Sequence, residues 1–237
     1  MPRKKFPYYP IFLDIEGHDV LIVGGGEVCA RKAETMLRYG ARVTVVAPDI
    51  SPEIEQWASS GRLAVRRKSY DRADLDGASI VIASTDDPCV NGRVARDCRR
   101  RRIPVNVVDV THLCEFIVPA IVESGSIQLA VSTGGKSPAL ARTLKEDLRK
   151  FVGPEYAEIN DLLGTLRPAA KEVLPTDVDR KRFFDGILAR GVVEMVRAGR
   201  KREAFEAIAI ACQQAGVPIS SELRRRMKEE VRSSNVE

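Results

Sequence analysis

Two features of this sequence could do chemistry: a glycine cluster and one isolated acid. Gly24-Gly25-Gly26-Glu27-Val28-Cys29 follows directly on the aliphatic run Val20 to Val23. In a Gly-x-Gly-x-x-small pattern the first glycine allows a tight turn and the second removes a side chain where backbone must approach an anion. The sixth position needs a small residue for close helix–strand packing, and Cys29 holds it. The first-turn amides of the helix that follows, with the positive end of its dipole, then face phosphate. The chemistry expected of Gly24, Gly25 and Gly26 is the grip of a dinucleotide pyrophosphate, against the plainer alternative of a glycine turn in an ordinary βαβ unit. The acid is Asp109, which ends the run Val105-Asn106-Val107-Val108. At a strand end on the same sheet edge it should border the bound dinucleotide, be partly desolvated with a raised pKa, and serve as acid or base. Its plainer alternative is a turn former before Val110-Thr111.

These residues must be positioned by a parallel sheet. Val20 to Val23 is too short for a helix and reads as a strand buried on both faces. Val28, Arg31, Lys32, Thr35 and Met36 fall at helical spacing, Ala30 and Ala33 allow close approach to the sheet, and Gly40 stands where a C-cap glycine belongs. Arg42 to Ala47 is a second strand closed by Pro48. Asp49, 23 residues after Gly26, is either a ribose ligand or the start of an Asp-Ile-Ser-Pro helix entry. The lack of Arg or Lys immediately after Ala47 favours NAD over NADP. Ser51-Pro52-Glu53 opens a helix through Ser59. Leu63 to Arg66 and Ser79 to Ala83 are further strands, with a turn or short helix at Tyr70 to Leu75. Ser84 and Thr85 follow the fourth strand at its carboxyl end and are candidates for cofactor contact, while Asp86 or Asp87 caps a helix over Asn91 to Arg101; both can hold. Val105 to Val108 is the fifth strand. Upstream, Tyr8 to Ile15 is expected to form a short strand folded back through Glu16-Gly17 onto the first strand.

Beyond Asp109 the pattern changes. Glu115 to Val122 and Ser126 to Ser132 form a hairpin outside the parallel sheet, joined by Glu123-Ser124-Gly125, and a helix starts at Pro138 behind Ser137. Glu155 to Ala215 is helical, punctuated by Pro168, Pro175 and Gly191 and closed by Gly216 and Pro218. Residues 216–237 are mostly charged and should form an exposed helix with a frayed end. The fold class is thus α/β: a Rossmann-like parallel sheet, a β-hairpin and helix region, and a small helical domain. The boundaries are 1–113, 114–152, 153–215 and a charged tail 216–237.

The 237 residues are 44% hydrophobic and 30% charged, with no apolar run of membrane-spanning length. The Met-Pro-Arg-Lys-Lys start leads into aromatics and Pro rather than a signal-peptide core, so a cytoplasmic protein is expected. Five cysteines without a Cys-x-x-Cys pair, and only His18 and His112 beside them, predict reduced thiols and no metal site. Lys and Arg number 38 against 33 Asp and Glu, a net charge of +5. The basic residues are dispersed and aromatics are few, which argues against nucleic acid and suits a polyanionic small molecule.

Pro10-Ile11-Phe12-Leu13, Val23 to Lys32, Ala83 to Asp87, Asn106-Val107-Val108-Asp109 and Ala130 to Pro138 together resemble the precorrin-2 dehydrogenases of sirohaem synthesis, in motif order and spacing from about residue 6 to residue 215. That family includes stand-alone enzymes and the amino-terminal part of multifunctional sirohaem synthases. The resemblance implies NAD-dependent oxidation of precorrin-2, a tetrapyrrole with eight carboxylates, to sirohydrochlorin. It implies Asp109 as the catalytic carboxylate, Glu27, Val28, Pro48 and Asp49 among the residues that hold NAD, and substrate contacts at Asn106, Ser132 and Thr133, the last two in a loop bordering the tetrapyrrole cleft. The hairpin region would make a homodimer, and an exposed hairpin edge favours strand pairing between subunits in any case. Cys29, where Ala is more usual, is the clearest departure. Some relatives also insert Fe2+ into sirohydrochlorin, for which Asp109 could be the base and His112 an assistant, although a lone loop His is more often a surface residue.

A nucleotide-sensing regulatory module is the rival from another class. It would bind NAD without needing Asp109 or the Ser132 to Pro138 loop.

Overall fold

A computed structural model describes residues 8–233, with side chains through residue 230. The expectations for the Met1 to Lys5 start and for the end of the tail beyond Ser233 lie outside these residues. The chain divides into two units, one of residues 1–119 with 134–137, the other of residues 120–133 with 138–237.

In the first unit, five strands alternate with helices: β1 (Asp19–Val23), α1 (Glu27–Arg38), β2 (Arg42–Val46), α2 (Pro52–Ser59), β3 (Ala64–Arg66), a 3-10 turn (Arg72–Leu75), β4 (Ile80–Ala83), α3 (Pro88–Arg101) and β5 (Val105–Val107). All are parallel, in the order β3-β2-β1-β4-β5. Apart from the edge strand β3, the strands are short and rich in Val and Ile because both faces are covered. Val20 and Ile22 pack with Ala30, Ala33 and Met36 of α1 and Ile54 of α2, whereas Leu21 and Val23 pack with Val94, Ala95 and Cys98 of α3. Order 2-1-4 about β1 leaves the crevice at its carboxyl end, where β2 and β4 diverge, as the natural ligand seat.

Two local expectations need correction. Residues 8–15 form no strand. Both edges of β1 are taken by β2 and β4, so a hairpin strand has nothing to pair with, and Pro10 lacks a donor in any case. The Glu16-Gly17 turn does form, with Gly17 at φ 68° and His18 N–H donating to the Ile15 carbonyl at 3.0 Å. On α1, Ala30 and Ala33 approach the sheet as expected and Met36 is buried with them, but the fourth buried residue is Cys29 rather than Val28, Arg31, Lys32 or Thr35.

The second unit begins with an antiparallel pair, β6 (Ala120–Ser124) and β7 (Ile127–Val131), so the first strand starts five residues later than expected. Then come α4 (Pro138–Phe151), α5 (Pro154–Val173), α6 (Asp177–Leu188), α7 (Val192–Arg197), α8 (Lys201–Ala215) and α9 (Ser221–Ser233). Their core is Ile159, Leu162, Leu166, Phe183, Ile187, Val192, Phe205, Ile208, Cys212 and Leu223. Pro168 does not end its helix, contrary to expectation: α5 runs through it. An interior Pro costs about 3 kcal/mol, but Leu162 and Leu166 before it and Ala170 after it are fully buried, and continuing the helix is what keeps all three in one core. Among the described residues no helix is long and apolar enough to cross a membrane.

Candidate active site

The glycine loop lies at the carboxyl end of β1, held from both sides. Gly24 donates to the Val46 carbonyl at 3.0 Å, and the Gly25 carbonyl accepts from Ser51 N–H at 2.7 Å. The space around each glycine differs. Gly24 stands at φ 126°, and a Cβ there would approach the Ser84 carbonyl oxygen to 2.6 Å; a Cβ on Gly25 would run into the Asp49 carbonyl oxygen. Gly26 has nothing within 4 Å of a Cβ position. The first two glycines are therefore demanded by the fold, whereas the third faces open space at the N-terminus of α1, whose cap makes no side-chain hydrogen bond. Bare first-turn N–H groups fronting an open volume form an anion seat.

That volume is a cavity of about 810 Å³, within the size range of cofactor clefts, lined by the glycine loop with Glu27 and Val28, by Pro48 and Asp49 beyond β2, by Ser69 and Tyr70, and by Ser84 to Asp87 beyond β4. All nine residues singled out as cofactor contacts, Gly24, Gly25, Gly26, Glu27, Val28, Pro48, Asp49, Ser84 and Thr85, border it. Asp49 had two readings. The cap of α2 is Ser51, whose hydroxyl accepts from Ile54 N–H, which leaves the Asp49 carboxylate out of the helix entry. Thr85 is busier than expected. Its hydroxyl lies 2.9 Å from Asn91 Oδ1, and the buried Asn91 amide donates back to the Thr85 carbonyl at 2.8 Å. Asp87 caps α3 through Cys89 N–H at 2.7 Å. Cys29 lies fully buried beneath the loop in contact with the Ser84 hydroxyl, and burial pushes its thiol up to about 12, so it serves packing rather than reactivity.

Asp109 stands one strand over. Val107 pairs with Ala83, and Val108 N–H donates to the Ala83 carbonyl at 2.9 Å, which sets Asp109 at the same sheet edge as Ser84 and Thr85. It is outside the cavity lining and exposed, so the desolvation expected of it is not found. Its backbone is unusual: φ is 59°, left-handed, one of two such non-glycine residues among those described. The loop is tied down beneath it. The buried Cys114 sulfur donates to the Val107 carbonyl at 3.1 Å and accepts from Val107 N–H at 3.2 Å, and Arg99 reaches the Leu113 carbonyl at 3.0 Å. Asn106 is buried and its amide donates to the Phe116 carbonyl at 3.0 Å, an employment that supports this loop from below. His112 is exposed, with its carbonyl accepting from Arg99. Ser132 and Thr133 follow β7 in the second unit. The next residues return to the first unit, where a Cβ on Gly135 would lie 3.2 Å from the Thr111 methyl, two residues beyond Asp109.

Spacing alone missed Lys32, Asn91 and Cys114. Lys32 is half-buried on α1; burial and Arg31 pull its ammonium below the ordinary lysine range, while the Asp109 charge acts in the opposite sense, so the two side chains share one field. The Arg31-Lys32 pair at the helix start was the available signal.

Comparison with known proteins follows the same division. Residues 11–120 match a family model described as putative NAD(P)-binding, residues 124–150 one for the central part of sirohaem biosynthesis proteins, and residues 155–210 one for the sirohaem synthase dimerisation region. A sirohaem synthase of Psychrobacter sp. (strain PRwf-1) is 40% identical over 213 residues, 90% of this chain and 44% of that one. One of Nitrosospira multiformis is 40% identical over 201 residues, covering 83% and 43% respectively. The chain thus spans less than half the length of the curated relatives it matches. A solved structure titled "SirC, precorrin-2 dehydrogenase" superposes with a TM-score of 0.67 at 29% identity, covering 85% of this chain and 99% of that one. Sirohaem synthases 40% identical over 83–90% of this chain, with two sirohaem-synthesis models matched in series behind an NAD(P)-binding one and a fold shared with that structure, place this chain in the sirohaem synthase and precorrin-2 dehydrogenase family.

Proposed function

We propose that the chain is an NAD-dependent dehydrogenase that oxidises precorrin-2 to sirohydrochlorin. The observation that carries this is the juxtaposition at one sheet edge of an open cavity floored by Gly26 and an aspartate held in a left-handed conformation one strand away. NAD+, when bound, supplies the acceptor for a hydride. The chain supplies the rest. The N-terminus of α1 and the bare backbone at Gly26 hold the pyrophosphate, and Asp49 at the tip of β2 takes the ribose hydroxyls. Precorrin-2 loses a hydride and a proton as a carbon–carbon or carbon–nitrogen bond gains unsaturation, and the Asp109 carboxylate receives the proton. An exposed acid suits this task, since the proton must pass on to water. The net charge of +5 favours an octacarboxylate substrate.

The active form is a homodimer. Helix α4 buries none of its residues and shows Leu144 and Phe151 at 40% and 63% exposure, an apolar stripe that a second copy would cover.

The test is an anaerobic assay with precorrin-2 and NAD+, following NADH and sirohydrochlorin together. Equal rates of both, above the rate without protein, are expected. A rate that the protein does not change would end the proposal, and NAD+ binding without turnover, unaltered by Asp109→Asn, would mark a sensor instead.

A further inference from the structure

The end of β3 and the residues after it read Arg66-Arg67-Lys68-Ser69-Tyr70, and the last two of these line the cavity together with Pro48 and Asp49. This stretch runs beside the tip of β2: Arg66 pairs with Val46, so the two side chains share a sheet face, and the Arg66 carbonyl accepts from Ala47 N–H at 3.3 Å. Three cations thus directly precede the cavity-lining Ser69 and Tyr70, one strand over from the tip of β2, whose residues immediately after Ala47 carry no cation. Each already has an acid. Asp74, 4% exposed, accepts from Arg66 Nη1 at 3.1 Å and from Lys68 Nζ at 2.6 Å, while Arg67 pairs with Glu55 at the surface. Asp74 is itself fixed by Asp71 N–H at 2.9 Å, in a capping box that closes the 3-10 turn. Two half-exposed cations are thus drawn back onto a buried, immobile carboxylate.

We propose that Asp74 is the specificity-determining residue for NAD over NADP, because it withholds Arg66 and Lys68 from a phosphate on the adenosine 2′-oxygen. This rests on the dinucleotide site assigned above. Discrimination here works by sequestering available cations rather than by lacking them, with Asp49 set to meet a free 2′-hydroxyl and to repel a phosphate.

Calorimetric titration of the full chain with NAD+ and with NADP+ tests it. Wild type should take NAD+ by preference. In Asp74→Asn the NADP+ to NAD+ affinity ratio should rise by about tenfold, the worth of one charge-assisted hydrogen bond, and the gain should vanish in high salt. An unmoved ratio in folded Asp74→Asn overturns the assignment. Because removing a buried acid can unfold the turn, the double variant Arg66→Gln/Lys68→Gln, with Asp74 intact, is measured beside it. It should leave the wild-type ratio unchanged, and a further fall in NADP+ affinity would show the cations already free to bind phosphate, again overturning it. Wild type that binds neither dinucleotide would instead sink the site assignment itself.

Discussion

Gly26→Ala should separate folding from cofactor binding. Its backbone sits at φ −82°, ψ −173°, extended geometry open to any residue, and a Cβ there meets nothing within 4 Å. The protein without ligand should lose at most about 1 kcal/mol, the difference between Gly and Ala at a helix N-cap, and its melting temperature should move by no more than about 4 °C. With NAD+ the case is reversed, for the methyl group occupies the volume through which phosphate oxygens reach the first N–H groups of α1. Losing one hydrogen bond to a charged group costs about 1.5–3 kcal/mol, which is roughly a 10- to 150-fold weaker Kd. Gly25→Ala is the contrasting control. Its Cβ would strike the Asp49 carbonyl, so it should lose stability and binding together. Calorimetric titration of NAD+ paired with thermal melts reads both quantities. If Gly26→Ala melts like wild type and binds NAD+ with unaltered affinity, the pyrophosphate does not lie on this loop, and the placement of the whole cofactor fails.

Asp109→Asn should keep NAD+ affinity while turnover falls by about 10²–10⁴-fold, the usual share of a general base; Asp109→Gly should also lose turnover but gain about 1 kcal/mol or more in urea unfolding, since glycine relieves the left-handed strain. Asp74 should make stability acid-sensitive. Burial raises its carboxyl, but Lys68, the Asp71 N–H and Arg66 more than offset this and hold it below the ordinary range, so its stabilisation is complete above the unfolded value of about 3.9 and drains away as pH falls through the lower folded value. Urea midpoints taken from pH 7 downward should decline less in Asp74→Asn than in wild type. Leu144→Glu, on an α4 face that the chain itself leaves exposed, should give monomers in sedimentation without lowering the melting of either unit, and a retained dimer would place the interface elsewhere.

Legibility in the sequence followed where one physical cause acted alone. The strands β1, β2, β4 and β5 were readable because burial on both faces favours short Val- and Ile-rich runs, and the cap of α2 because Ser51 precedes Pro at the first helical position; α3 starts at Pro88 behind Asp87, three residues before the helix expected from Asn91. The nine cavity residues followed from the glycine loop and from strand ends, which a parallel sheet gathers at one edge. Readings failed where competition decided. Tyr8 to Ile15 has strand-like composition, yet β1 has no vacant edge to offer it, a fact of sheet order that local composition does not carry. Pro168 signals a break, but Leu162, Leu166 and Ala170 outweigh it through tertiary burial. Asp109 was expected to be desolvated because apolar residues precede it; they point into the sheet, and the chain turns outward directly after Val108. Cys114 and Asn106 work through contacts with Val107 and Phe116 that only the folded loop creates.

The loop carrying Asp109 is clamped by atoms that no ligand needs to touch: a sulfur bonded to both backbone groups of Val107, an amide on Phe116, and a guanidinium on Leu113. If Asp109 takes the proton as proposed, that carboxylate is pre-set before any substrate arrives, and none of the binding free energy is consumed in ordering it. A large polycarboxylate substrate of the kind proposed could then settle approximately at its periphery while the reacting ring still met a fixed carboxylate.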